Sequence, residues 1–243
     1  MKNIIRRASK GNTVGVVGTY CFLLLMAAGM AGCSEVPKSP EINSAYEQDF
    51  EIIGPEKDKL LGSVNPGVYK TADRTNRNAE PVSIPVVTKE GKEVELKTGR
   101  YMFTGYPTGN IFVYDEKGDL VLSEIVGSYT GSGSLTIDIQ SGYTVRADGG
   151  YDSVEITPVP TALATDLTTG LWEVGQDIEP GKYEIAIDSK YGYLHVFEEG
   201  KEPRVFELIG GEIAKSDGVV TLEEGQMLRV TGTSLIRFTH TDS

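Results

Sequence analysis

Gly170-Leu171-Trp172-Glu173-Val174-Gly175-Gln176-Asp177-Ile178-Glu179-Pro180-Gly181-Lys182-Tyr183 is the stretch whose reading decides the fold. Pro180 presets φ for a turn and Gly181 accepts a positive φ, so Glu179-Pro180-Gly181 reverses the chain. Beyond the turn, Tyr183, Ile185 and Ile187 alternate with Glu184, Ala186 and Asp188, the period-two pattern of a half-buried strand. In the next strand Leu194 and Val196 point one way and Tyr193, His195 and Phe197 the other, so both faces carry apolar or aromatic groups.

The pattern recurs upstream. At a spacing of 82 or 83 residues, Gly99-Arg100-Tyr101 aligns with Gly181-Lys182-Tyr183, Gly109 with Gly192, Glu124 with Glu207, Arg146 with Arg229 and Gly149 with Gly232. Gly67-Val68-Tyr69-Lys70 resembles Gly170-Leu171-Trp172-Glu173 at a spacing of 103, which implies about 21 extra residues in the first copy between Asp73 and Leu96. Within them, Val82 to Val87 and Val94 to Leu96 flank Glu90-Gly91-Lys92 and read as a hairpin, with Pro85 confining the first strand to a sheet edge. Further strands are expected near Tyr101, Ile111, Val121, Leu135, Thr144 and Val154, and no helix outside the N-terminal segment. The fold class is therefore all-β: two tandem related antiparallel sandwich or barrel-like units, residues 64–159 and 166–240, joined by Thr157-Pro158-Val159-Pro160-Thr161.

The Gly-x-Trp-x-Val-Gly-x-Asp-Ile-x-Pro-Gly-x-Tyr run resembles a motif of small extracytoplasmic β-domains in secreted and lipid-anchored proteins of Gram-positive bacteria, a family without an established activity. The second copy carries it well; the first keeps Gly67, Tyr69, Gly99 and Tyr101 and loses the Val-Gly-x-Asp-Ile core. The resemblance implies compartment and fold, and no chemistry.

Residues 1–32 read as a lipoprotein signal peptide. Lys2, Arg6, Arg7 and Lys10 precede an uncharged apolar run, and Met30-Ala31-Gly32-Cys33 resembles a lipobox, with the Cys33 thiol as acyl acceptor. The alternative is an uncleaved signal anchor, since about 20 apolar residues span a bilayer. Both place the remainder outside the cytoplasm, on the outer face of the membrane. Residues 33–63, rich in Pro and charge, read as a tether. Cys21 and Cys33 are the chain's two cysteines, so the β-units contain neither disulfides nor thiolate metal sites. Past the signal, 19 basic residues stand against 35 acidic ones, which argues against nucleic acid and anionic headgroups as partners.

No catalytic constellation, cofactor motif or metal-ligand pattern emerges. His195 stands where the first copy has Phe112, His240 lies near the terminus, and Asp115 to Asp119 lacks calcium-loop spacing and reads as a charged hairpin turn. Glu124 and Glu207 are the one acidic pair that recurs, beside apolar strand residues. Gly127 to Ser134 reads as a flexible loop, since no helix or lysine follows to make a phosphate cradle. Phe112 and Tyr114, or Tyr193 and Phe197 beside Trp172, are candidates for a ligand platform; the competing reading is that these rings fill the core or the contact between copies. Trp172 is expected to serve stability. The expected function is a lipid-anchored, non-catalytic binding or structural module of the cell envelope, contacting wall polysaccharide or an envelope protein. The alternative is a wall-polymer hydrolase using acidic residues.

Overall fold

The computed structural model describes residues 50–210 and 218–241. The signal segment, Cys33 and residues 34–49 of the expected tether lie outside the described residues. The rest forms an all-β protein with an eleven-stranded sheet and a four-stranded sheet. No described helix is long and apolar enough to cross a membrane.

The first half contains β2 (Val82–Pro85), β3 (Lys92–Glu95), β4 (Gly99–Tyr106), β5 (Thr108–Tyr114), β6 (Leu120–Gly127), β7 (Leu135–Ile139), β8 (Thr144–Asp148) and β9 (Ser153–Pro158). The second contains β10 (Asp166–Glu173), β11 (Gly181–Ile187), β12 (Tyr191–Phe197), β13 (Arg204–Ile209), β14 (Gly218–Leu222) and β15 (Met227–His240). Period-two patterning holds where expected: Ile111 and Val113 of β5, and Tyr183 and Ile185 of β11, are buried while their neighbours are not.

Aligned positions of the two halves have matching pairing registers. Tyr101 faces Ile137 across β4–β7, and Tyr183 faces Val220 across β11–β14. Asn110 faces Asp148 across β5–β8, and Tyr193 faces Thr231 across β12–β15. Even the anchoring of the repeated tyrosine recurs: Tyr101 donates to the Lys97 carbonyl at 3.0 Å and Tyr183 to the Glu179 carbonyl at 2.8 Å, each four residues back. The aligned glutamates do not share a position, because Glu124 faces Ile111 whereas Phe206, not Glu207, faces Leu194.

Three expectations are corrected. Val82–Pro85 and Lys92–Glu95 do not pair as a hairpin: β2 joins β9 at the edge of the large sheet, and β3 joins β8 in the small one. Together they take the place that continuous β10 holds in the second half, where its two ends pair with the two ends of β15. By ladder position Val94, opposite Val145, is the counterpart of Trp172, opposite Leu228. Gly67-Val68-Tyr69 belongs instead to a 3-10 turn, Pro66–Tyr69. Second, the folded body starts before the expected boundary: β1 (Glu51–Ile52) adds to β13, and α1 (Pro55–Leu61) follows, a helix the sequence reading omitted. Strand addition to an edge rests on backbone hydrogen bonds and ion pairs such as Arg204–Glu51 at 2.6 Å, so the segment's low apolar content gave no warning. Third, Gly127 to Ser134 folds back on β6, with the Gly127 amide donating to the Ser132 carbonyl at 2.9 Å.

The halves are not separate bodies, since the described residues fall within one compact unit. Each half has its own core, but Leu171, Phe197 and Met227 of the second pack into the core of the first. β7 is buried on both faces: Leu135, Ile137 and Ile139 join the first core, while β10 comes alongside through the Gly170–Thr136 pairing. Gly170 is required there, because its φ is +149° and a Cβ would lie 2.0 Å from the Thr136 carbonyl oxygen.

Candidate functional site

Residues 64–80 run as a strap along the seam between the halves. Val68 enters the first core, the Tyr69 ring meets Phe197 edge to face at 6.3 Å, and the Asn76 amide donates to the Val159 carbonyl at 2.7 Å. Arg74 then reaches both halves, donating from Nε to Asp138 at 2.9 Å and from Nη1 to Asp177 at 3.0 Å. Arg100, 1 % exposed, pairs with the same two carboxylates, at 2.9 Å to Asp138 and 3.2 Å to Asp177, and its guanidinium lies 4.7 Å from the Trp172 ring centre. Glu173 completes the cluster at 3.5 Å from Arg74. Burial works against the Arg74 charge, but Asp138 and Asp177 outweigh it and hold the guanidinium above its ordinary range. Burial pushes the Glu173 carboxyl up in spite of Arg74. The Asp of the Val-Gly-x-Asp-Ile motif therefore has two structural duties: Asp177 joins the halves and accepts the Glu173 amide at 2.8 Å to close its own turn.

The structure separates the five platform candidates. Trp172 is half-buried against the second core and donates from Nε1 to the Thr168 carbonyl at 2.8 Å. Phe197 is 2 % exposed in the seam, and Tyr193, half-buried on the same strand face, directs its hydroxyl at Glu207. Phe112 and Tyr114 sit elsewhere, on the outer face of the four-stranded sheet, ring centres 6.3 Å apart and planes within 21°. Arg146 lies over Phe112 at 5.6 Å and is neutralised by Asp148 at 3.0 Å, while Asn110 donates to Asp148 at 2.7 Å.

His195 is buried in the seam beside Arg229; burial, then that neighbouring positive charge, pull its pKa down to about 3, so the imidazole is neutral. Its Nδ1 has no hydrogen-bond partner. Its cross-strand partner is Arg229, which pairs with Glu124 across the seam at 3.3 Å. Burial raises the Glu124 carboxyl in opposition to that arginine. The Asp115–Asp119 segment is a hairpin turn: Asp115 Oδ1 accepts the Lys117 and Asp119 amides, each at 2.9 Å. Among the described residues no group of His, Cys, Asp or Glu could hold a metal ion.

Sequence reasoning missed the ionic cluster, because Arg100 aligns with exposed Lys182 and Asp138 with exposed Thr221, and the repeat pattern hid charges that do not repeat. It also missed a groove of about 410 Å³ along the seam, lined by Glu124, Ile125, Ser132, Tyr191, Thr231 and Thr233 among others. Comparison with protein families, curated proteins and solved structures finds no match to this chain.

Proposed function

We propose that the protein is a lipid-anchored, non-catalytic binding module of a Gram-positive cell envelope, attached at Cys33 and exposed on the outer face of the membrane. The anchor and compartment rest on the Met30-Ala31-Gly32-Cys33 sequence and on the motif's resemblance to extracytoplasmic β-domains.

The observation that carries binding is the unequal use of one sheet face. In the second half that face, with Tyr193, His195, Phe197 and Arg229, is consumed by the seam. In the first half the matching face keeps Phe112 and Tyr114, both half-buried, beside Arg146, Asn110 and Asp148, and among the described residues no strand is paired over it. Neighbouring rings bordered by hydrogen-bonding groups suit a wall polysaccharide or a polar protein surface. The buried carboxylates Asp138, Asp177 and Glu124 are engaged by arginines, which disfavours the hydrolase alternative.

Co-sedimentation of the detergent-solubilised full chain with purified cell-wall sacculi tests the reading. Retention is expected, and Phe112→Ala with Tyr114→Ala is expected to abolish most of it. Absence of wild-type retention on both sacculi and membrane-protein fractions counts against a binding module, and release of reducing sugar from the sacculi counts against a non-catalytic one.

A further inference from the structure

The seam groove has a construction the outer shelf lacks. Each half supplies one exposed apolar wall: Ile125 from β6, 52 % exposed, and Tyr191 from β12, 61 % exposed. Between them the lining is dominated by hydroxyls, from Ser132, Ser189, Thr231, Thr233 and Ser234, with Glu124 as the one carboxylate and Lys190 as the one ammonium. That carboxylate is 7 % exposed and paired with Arg229, so its own charge is already neutralised. Two lining glycines hold backbone at positive φ: Gly131, at +84°, where a Cβ would lie 2.4 Å from the Ile125 carbonyl, and Gly232, at +71°. The floor is tied together by a relay, in which Thr169 donates to Ser132 at 2.6 Å and Ser132 to the Thr233 carbonyl at 3.2 Å.

A volume of about 410 Å³ falls in the range of small-molecule sites, about 300 to 1,000 Å³. Two apolar walls around hydroxyls and a neutralised carboxylate match a ring with C–H faces and an equator of hydroxyls. They match poorly a free cation, since Lys190 adds a positive charge and the one carboxylate is already taken by Arg229. We infer that this groove is a second binding site, separate from the Phe112–Tyr114 shelf, for a carbohydrate of one or two pyranose rings, with Tyr191 and Ile125 packing on the ring faces. The inference shares the binding reading above but not its surface.

Saturation-transfer NMR on the detergent-solubilised full chain, with chitotetraose and maltotetraose as probes, decides it. Saturable transfer to ring protons is expected for at least one probe. Tyr191→Ala, at an exposed position, is expected to weaken it by about tenfold or more, and in Phe112→Ala a component of the transfer that depends on Tyr191 is expected to remain. Transfer lost in Phe112→Ala but kept in Tyr191→Ala overturns the groove while supporting the shelf. No saturable transfer from either probe at about 10 mM overturns the groove as a carbohydrate site, while sacculus retention would still sustain the shelf.

Discussion

In the first half Phe112 faces Arg146 across two strands, and in the second His195 faces Arg229 at the same ladder position. One pair lies on an outer face with its arginine satisfied locally by Asp148; the other lies inside the seam with its arginine satisfied by Glu124 from the opposite half. The halves are thus joined head to tail, and the face that closes the joint in one is left open in the other. The strands differ in the same sense. The first half breaks between β8 and β9 at Gly149-Gly150, both at positive φ, so its two sheets separate. The second passes through Gly232 as the unbroken strand β15, backed by β10, which carries the large sheet across to β7. A repeated pattern supplies matching cores; what joins them is whatever does not repeat.

The largest expected difference between the halves concerns charge. Asp177→Ala leaves Arg74 and Arg100 sharing Asp138 as their one buried carboxylate and is expected to cost about 3 kcal/mol in urea unfolding. Lys182→Ala, at the exposed counterpart of Arg100, is expected to stay within about 0.5 kcal/mol. Next comes Gly170→Ala, where the new methyl meets the β7 backbone; a loss of about 3 kcal/mol is expected, against almost none for Lys92→Ala at the matching ladder position. Trp172→Ala follows. Its ring is half-buried, so about 3 kcal/mol, the low end of the range for aromatic truncation, is expected, and an unaltered midpoint would return Trp172 to the platform candidates.

The smallest effect at neutral pH is the most diagnostic of the seam. His195 is neutral in the folded protein, with a pKa of about 3 against 6.5 when unfolded, so the unfolded chain binds the extra proton between those values. Its contribution is therefore complete above pH 6.5 and is lost as pH falls toward 3, with a limiting slope of about 1.4 kcal/mol per pH unit. His195→Phe, which installs the residue the first half uses, is expected to flatten that part of the stability profile; an unchanged acid limb would place His195 outside the buried seam.

How much of this was legible in the chain follows from the same contrast. Alternation and Pro-Gly turns reveal β4, β5, β11 and β12, because a half-buried strand writes its environment into every second residue. The likeness of Gly67-Val68-Tyr69 to Gly170-Leu171-Trp172 misled, since a Gly-x-aromatic triplet suits a 3-10 turn as well as a strand; the true counterpart, Lys92–Glu95, shares no residue type with it beyond a terminal glutamate. The aromatic residues of β12 were legible as two-faced, but whether a second face meets solvent or another half depends on pairings more than 100 residues apart, such as Arg229 with Glu124. The groove needed the same long-range closure, because Ile125 and Tyr191 come from different halves.

The central claim, that the seam makes two halves into one cooperative body, is tested by urea unfolding followed with two probes at once. Trp172 is the only tryptophan and reports the second half, whereas far-UV circular dichroism reports the strands of both. Coincident transitions with a single midpoint are expected, moving together to lower urea in Arg74→Ala. A dichroism change that completes or begins apart from the fluorescence change in the wild-type protein would show halves that fold independently, and would contradict the account.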